Sequence, residues 1–158
     1  MANADQIFGL IPITNNPTTT TLTAGGTFAE GDIVMLGAGT GEVVVFDSGA
    51  GSLAAGVAAT SGTDGEDCIV YTNPETEFRI QCDSGTAYVK ADHDLIHVDI
   101  TGGTGAMEAD LDSTTDKTLM VIGHYPMDGS EDVGTNAIVR VKISQHLFAS
   151  TPSASSAP

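Results

Sequence analysis

Between Gly25 and His146 every apolar run is cut short by a cluster of Gly, Asp, Asn or Ser. That punctuation constrains the fold more than any other feature. An amphipathic helix needs about ten or more residues of sustained 3.6-residue period, and no such stretch develops here. The intervals suit strands. Candidates are Ile33–Leu36, Val43–Phe46, Leu53–Ala58, Cys68–Thr72, Glu77–Cys82, Ala87–Ala91, Ile96–Ile100, Leu119–Tyr125 and Ile138–Ile143. With 19 glycines, no tryptophan and a hydrophobic fraction of 41%, the 158 residues predict an all-β chain. The expected architecture is an antiparallel β-sandwich or barrel-like domain around one core.

The period of two is clearest in Glu77–Cys82, where Phe78, Ile80 and Cys82 are expected inward and Glu77, Arg79 and Gln81 outward. A turn at Asn73-Pro74-Glu75-Thr76 predicts that this strand forms a hairpin with Cys68–Thr72. Cys68 would then face Cys82, Val70 would face Ile80, and Thr72 would face Phe78. The two thiols would lie within reach of each other, a reduced buried pair being the plainer reading and a bond remaining open. In the last strand Val139, Val141 and Ile143 alternate with Arg140 and Lys142, which places two cations on one stripe.

Three regions follow. Residues 1–24 carry one charge, Asp5, and two prolines, Pro12 and Pro17, so they are expected to run as an extended N-terminal arm. Phe8, Leu10, Ile11 and Ile13 are too apolar for a solvated tail, and they are the expected contact residues toward a sister subunit or another protein. A first strand of the parent domain is the plainer alternative. Residues 25–148 form the β-domain. Residues 149–158, rich in Ser, Ala and Pro, read as a flexible tail.

Charge excludes whole classes of function. Against 21 acidic residues stand 5 basic ones, a formal net charge of −16, and none of the five lies in the first 78 residues. A polyanion is repelled, so no nucleic-acid partner is expected. No apolar run approaches the ~18 residues of a membrane-spanning helix, and no basic amphipathic stretch would hold an anionic surface. The polar, acidic opening is not that of a cleaved export signal, and two cysteines fit a protein made in a reducing cytoplasm.

The motifs that could carry chemistry fall short on physical grounds. Val43–Ala54 contains a strand followed by G-x-G-x-x-A, but the phosphate-binding helix that should follow is interrupted by Gly56, Gly62 and Gly65. Asp110, Asp112 and Asp116 are close enough in sequence to interest calcium, yet the loop lacks the central glycine and closing glutamate of an EF-hand. A solvated acidic turn is the plainer reading. His93 and His97 have helical chelate spacing, but the alternation of Ile96, Val98 and Ile100 predicts a strand, which holds such residues about 13 Å apart. No G-x-S-x-G elbow exists, and both cysteines are expected on strands without a positive partner to lower their pKa. No catalytic residue, cofactor or metal is predicted, and the chain reads as a non-enzyme.

Three segments, taken in order, resemble those of a known family: the opening Met1–Pro12, the Tyr71–Gln81 turn region and the closing Gly134–His146. The chain is similar in these to the capsid decoration, or cement, proteins encoded beside the major capsid gene in tailed bacteriophages. It departs from that pattern in a shortened stretch from Ile13 to Phe28, in the absence of an aromatic in the last strand, and in the Asp128–Asp132 loop. The resemblance implies a structural virion protein, made in the bacterial host cytoplasm and located on the capsid exterior. Its partners would be the major capsid protein and itself, as a homotrimer. The competing expectation is a secreted or surface-attached acidic β-module that binds carbohydrate or adheres; the 5% aromatic content gives it few stacking platforms.

Overall fold

The computed structural model describes residues 7–47, 52–125 and 134–149. The architecture is two packed antiparallel sheets with one short helix. The elements are β1 (Ile11–Pro12), β2 (Thr19–Thr23), β3 (Ile33–Leu36), β4 (Val43–Val45), β5 (Ala54–Ala58), β6 (Asp67–Tyr71), β7 (Phe78–Gln81), α1 (Lys90–His93), β8 (His97–Thr101), β9 (Glu108–Asp110), β10 (Leu119–His124) and β11 (Ile138–Ile143). One sheet has six strands in the order β1-β7-β11-β10-β8-β9, and the other has five in the order β2-β6-β5-β3-β4. No helix among the described residues is long and apolar enough to cross a membrane.

All five residues of β5 are buried, which explains why Leu53–Ala58 reads as almost continuously apolar. Ala54 and Val57 face the large core between the sheets, with Phe78, Ile80, Val139 and Val141. Ala55 and Ala58 face a second, smaller core with Phe28, Val34, Cys68 and Val70. The five-stranded sheet curls around this second core, and a bridge from Ala24 to Val43 brings its two edge strands together. The curl brings β5 and β6 together at Gly56: its φ is +152°, and a β-carbon there would lie 1.9 Å from the Tyr71 carbonyl oxygen. Only glycine fits.

Several expectations need correction. Cys68–Thr72 and Glu77–Cys82 do not form a hairpin, because β6 and β7 belong to different sheets. The Asn73–Thr76 turn does form, with the Glu75 N–H donating to Asn73 Oδ1 (2.9 Å) and the Thr76 N–H to the Asn73 carbonyl (3.1 Å). It carries the chain from one sheet to the other. Both edges of β6 are taken by β2 and β5, and both edges of β7 by β1 and β11, so neither strand has an edge free for the other. Cys68 and Cys82 consequently lie in different cores, both as free thiols. Gln81 is not outward: it is buried, and its side-chain amide donates to the Asn136 carbonyl (3.3 Å). Ala87–Ala91 is not a strand; it runs into α1, where the Asp94 N–H donates to the Lys90 carbonyl (3.1 Å). His93 therefore ends a helical turn while His97 begins a strand, so the two do not share one. The phosphate-loop motif is followed by strand β5 and not by a helix, while its central residues 48–51 lie outside those described.

Candidate interaction surface

Within residues 1–24 the described part is extended and supplies β1 to the six-stranded sheet and β2 to the five-stranded one. The first entry into the domain is made by glycines. Gly9 (φ +71°) packs so closely on Gly31 that a β-carbon would lie 2.8 Å from the Gly31 oxygen, and the Leu10 N–H then donates to that same oxygen (2.9 Å). Leu10 drops into the large core, 2% exposed. Its burial contributes about 1.5–3 kcal/mol to its own domain, so it is not available to a partner. Phe8, Ile11 and Ile13 stay half-buried, and with Leu10, Pro12 and Tyr71 the first two of these line a cleft of about 190 Å³.

This segment borders a face where the scarce cations gather. Arg79 of β7 stands directly opposite Ile11 on one side and Arg140 on the other. Its guanidinium lies over two rings, 5.7 Å from the centroid of Phe8 and 5.4 Å from that of Tyr125. Arg140 pairs with Glu77 (3.4 Å) and Lys142 with Glu75 (2.9 Å), so both cations of β11 are answered across the sheet. A β-carbon on Gly123 would meet an Arg140 nitrogen at 2.9 Å, so this glycine in β10 leaves the room Arg140 occupies. Beyond it, the Tyr88 hydroxyl donates to Asp94, and Lys90 pairs with the same carboxylate. Burial would raise the Asp94 carboxyl, but the hydrogen bonds from Lys90 and Tyr88 outweigh it and hold it below the usual range. Burial, reinforced by Asp94, pushes the Tyr88 phenol well up.

The acidic turn after β9 has a different organiser from the one its sequence advertises. Asp99 of β8, 6% exposed, accepts from Ser113 Oγ (2.6 Å) and from the N–H groups of Thr115 (3.1 Å), Asp116 (2.7 Å) and Lys117 (2.7 Å). Burial works against its charge, yet these four donors win and hold its carboxyl low. Asp116 contributes only its backbone to this contact, which separates its role from that of Asp110 and Asp112. Asp110 is pushed up to about 6, first by burial, then by the side-chain hydrogen bond with Asp112 and the charge of Asp83. Among the described residues no group of three or more His, Cys, Asp or Glu is arranged to hold a metal ion. Burial pushes the Cys82 thiol up to about 12 and raises Cys68 as well, so both are poor nucleophiles at neutral pH. Burial also lowers His146 to about 4.

Sequence reasoning missed Asp99, Arg79 and the Tyr88–Asp94–Lys90 contact. Nothing local distinguishes Asp99 from the chain's other carboxylates. Arg79 lies in a stretch singled out for its alternation, but its aromatic neighbours come from positions 8 and 125. No protein-family model and no curated protein matches the chain.

Proposed function

We propose that this is a non-enzymatic structural virion protein that binds the outer surface of an icosahedral phage capsid and stabilises the contacts between major capsid subunits, associating with itself as a homotrimer. The observation that carries the reading is the placement of uncharged surface. In a chain of net charge −16, residues 7–24 hold no charge, and in them Ile7, Phe8, Ile11 and Ile13 remain at least partly exposed. Among the described residues no strand pairs with the outer edge of β2. The Ala24 N–H donates to the Glu66 carbonyl, so the alternation of the ladder turns the backbone groups of Thr19 and Thr21 away from β6. Uncharged β-edges and apolar side chains are where a highly acidic domain meets another protein with least repulsion. The three-segment resemblance to decoration proteins supplies the identity of that protein, and a pressurised shell is stabilised by any added contact between its subunits.

The test uses shells assembled from the major capsid protein of the phage that carries this chain. The protein should co-sediment with the shells and raise the temperature at which they rupture. Phe8→Ser, Ile11→Thr and Ile13→Thr combined, which spare Leu10, should leave the fold intact by circular dichroism and lower occupancy at least tenfold. Shells that rupture at the same temperature bare and decorated would refute the cement role.

A further inference from the structure

We infer that Arg79 is a carboxylate-binding anchor for a second copy of this chain, docked head to tail. The proposal rests on the self-association named above and gives it a site.

Arg79 is half-buried, with its guanidinium over the rings of Phe8 and Tyr125. The rings engage its charge without consuming its N–H donors, which can therefore bind an acid. The planar fork of an arginine suits bidentate recognition of a carboxylate. The sequence offers 21 acidic residues, and Lys90, Arg140 and Lys142 each have one as a partner. Among the described residues no carboxylate lies within ion-pair distance of Arg79, whereas Arg140, directly opposite it, is paired with Glu77. An aromatic-flanked arginine beside partly exposed Phe8 and Ile11 has the composition of an interface centre.

Charge identifies the occupant. The face around Arg79 holds the cations of β7 and β11, whereas the rest of a second copy is strongly acidic. The densest exposed acidic stretch described is Asp64-Gly65-Glu66-Asp67, at the turn into β6 on the other sheet. Arg140 and Lys142 are already paired with Glu77 and Glu75, and a two-fold contact of this face with itself would set Arg79 against Arg79, so the complementary contact for Arg79 is heterologous. Head-to-tail contacts close into a ring when the rotation between copies closes, as the proposed homotrimer requires.

Sedimentation equilibrium on the full-length chain tests this at 50 and 500 mM NaCl, with circular dichroism confirming the fold of every variant. The wild type should form a closed oligomer that weakens with salt. Arg79→Gln and the triple variant Asp64→Asn, Glu66→Gln, Asp67→Asn should each lower the association constant at least tenfold, and Arg79→Lys, which keeps charge but loses the planar fork, should fall between. A wild type that stays monomeric at millimolar concentration overturns both this site and the self-association it rests on. A trimer unaffected by Arg79→Gln overturns the site alone. Reduced thermal stability with unchanged association would assign Arg79 to the stability of its own chain and would also overturn the proposal.

Discussion

Asp99 and Asp110 stand directly opposite each other in the β8–β9 ladder, yet their surroundings drive them in opposite directions. On the Asp99 side, four donors from Ser113 to Lys117 converge on one carboxylate and lock the acidic turn to the strand. On the Asp110 side, Asp112 and Asp83 crowd a partly buried carboxyl with like charge, and it titrates near 6. Two aspartates of one ladder thus serve as a structural staple and a proton-holding group. Donors, not residue type, decide which. The lesson extends to the calcium expectation: three aspartates within Asp110–Asp116 look like one cluster in sequence, but Asp110 and Asp112 interact through their side chains while Asp116 joins the Asp99 contact through its backbone N–H.

The comparison breaks most severely at Asp99. Asp99→Ala leaves three backbone N–H groups and a hydroxyl without their acceptor and should cost about 3 kcal/mol or more, some 6–12 °C in Tm, by thermal unfolding. Asp99→Asn keeps one acceptor oxygen and should cost less. A loss below about 1 kcal/mol for the alanine variant would mean that the staple does not hold the turn.

The opposite sign appears at Asp110. Its folded pKa, about 6, lies above the unfolded carboxylate value, so its stabilising contribution is fully present below about pH 4 and is lost as pH rises through 6. Asp99, held low, contributes above about pH 4 and loses that contribution as pH falls toward its folded pKa. His146, lowered to about 4, stabilises the fold above its unfolded value near 6.5 and loses that as pH falls through this range, opposing Asp110 in the same window. The difference between Asp110→Asn and wild type isolates the first effect. The variant should be more stable at pH 8, by less than about 1 kcal/mol given the partial exposure of the site, and should show no gain at pH 4. A gain that is equal at both pH values would show that charge crowding is not its cause.

The smallest effect concerns Asp112. Asp112→Asn removes a charge and a shared proton, so Asp110 should titrate closer to an ordinary carboxylate in a carboxyl-detected NMR titration while Tm barely moves. An unchanged Asp110 midpoint would assign its shift to burial and the charge of Asp83.

Where these residues would sit was legible to different depths. Ile33–Leu36, a short apolar run bounded by turn residues, and Ile138–Ile143, where apolar and basic residues alternate, emerge with their expected boundaries, because short strands between turns print themselves on the sequence. The short strand Glu108–Asp110 left no mark: three residues, two of them acidic, carry too little period to be seen. The Phe8–Arg79–Tyr125 stack was equally invisible, since it joins three distant segments and no local pattern encodes such a meeting.

The alternation of Phe78, Ile80 and Cys82, the turn at Asn73–Thr76 and the absence of sustained helical period belong to the amino-acid sequence by itself. They follow from backbone and side-chain preferences that act over a few residues. Which strands pair is another matter. Residues 7–24 occupy the edges of β6 and β7 that a local hairpin would have used, and so they send Cys68 and Cys82 into separate cores. Only the tertiary structure decides that, because a strand edge bonds to whichever neighbour also buries the right face, and here those neighbours lie dozens of residues away.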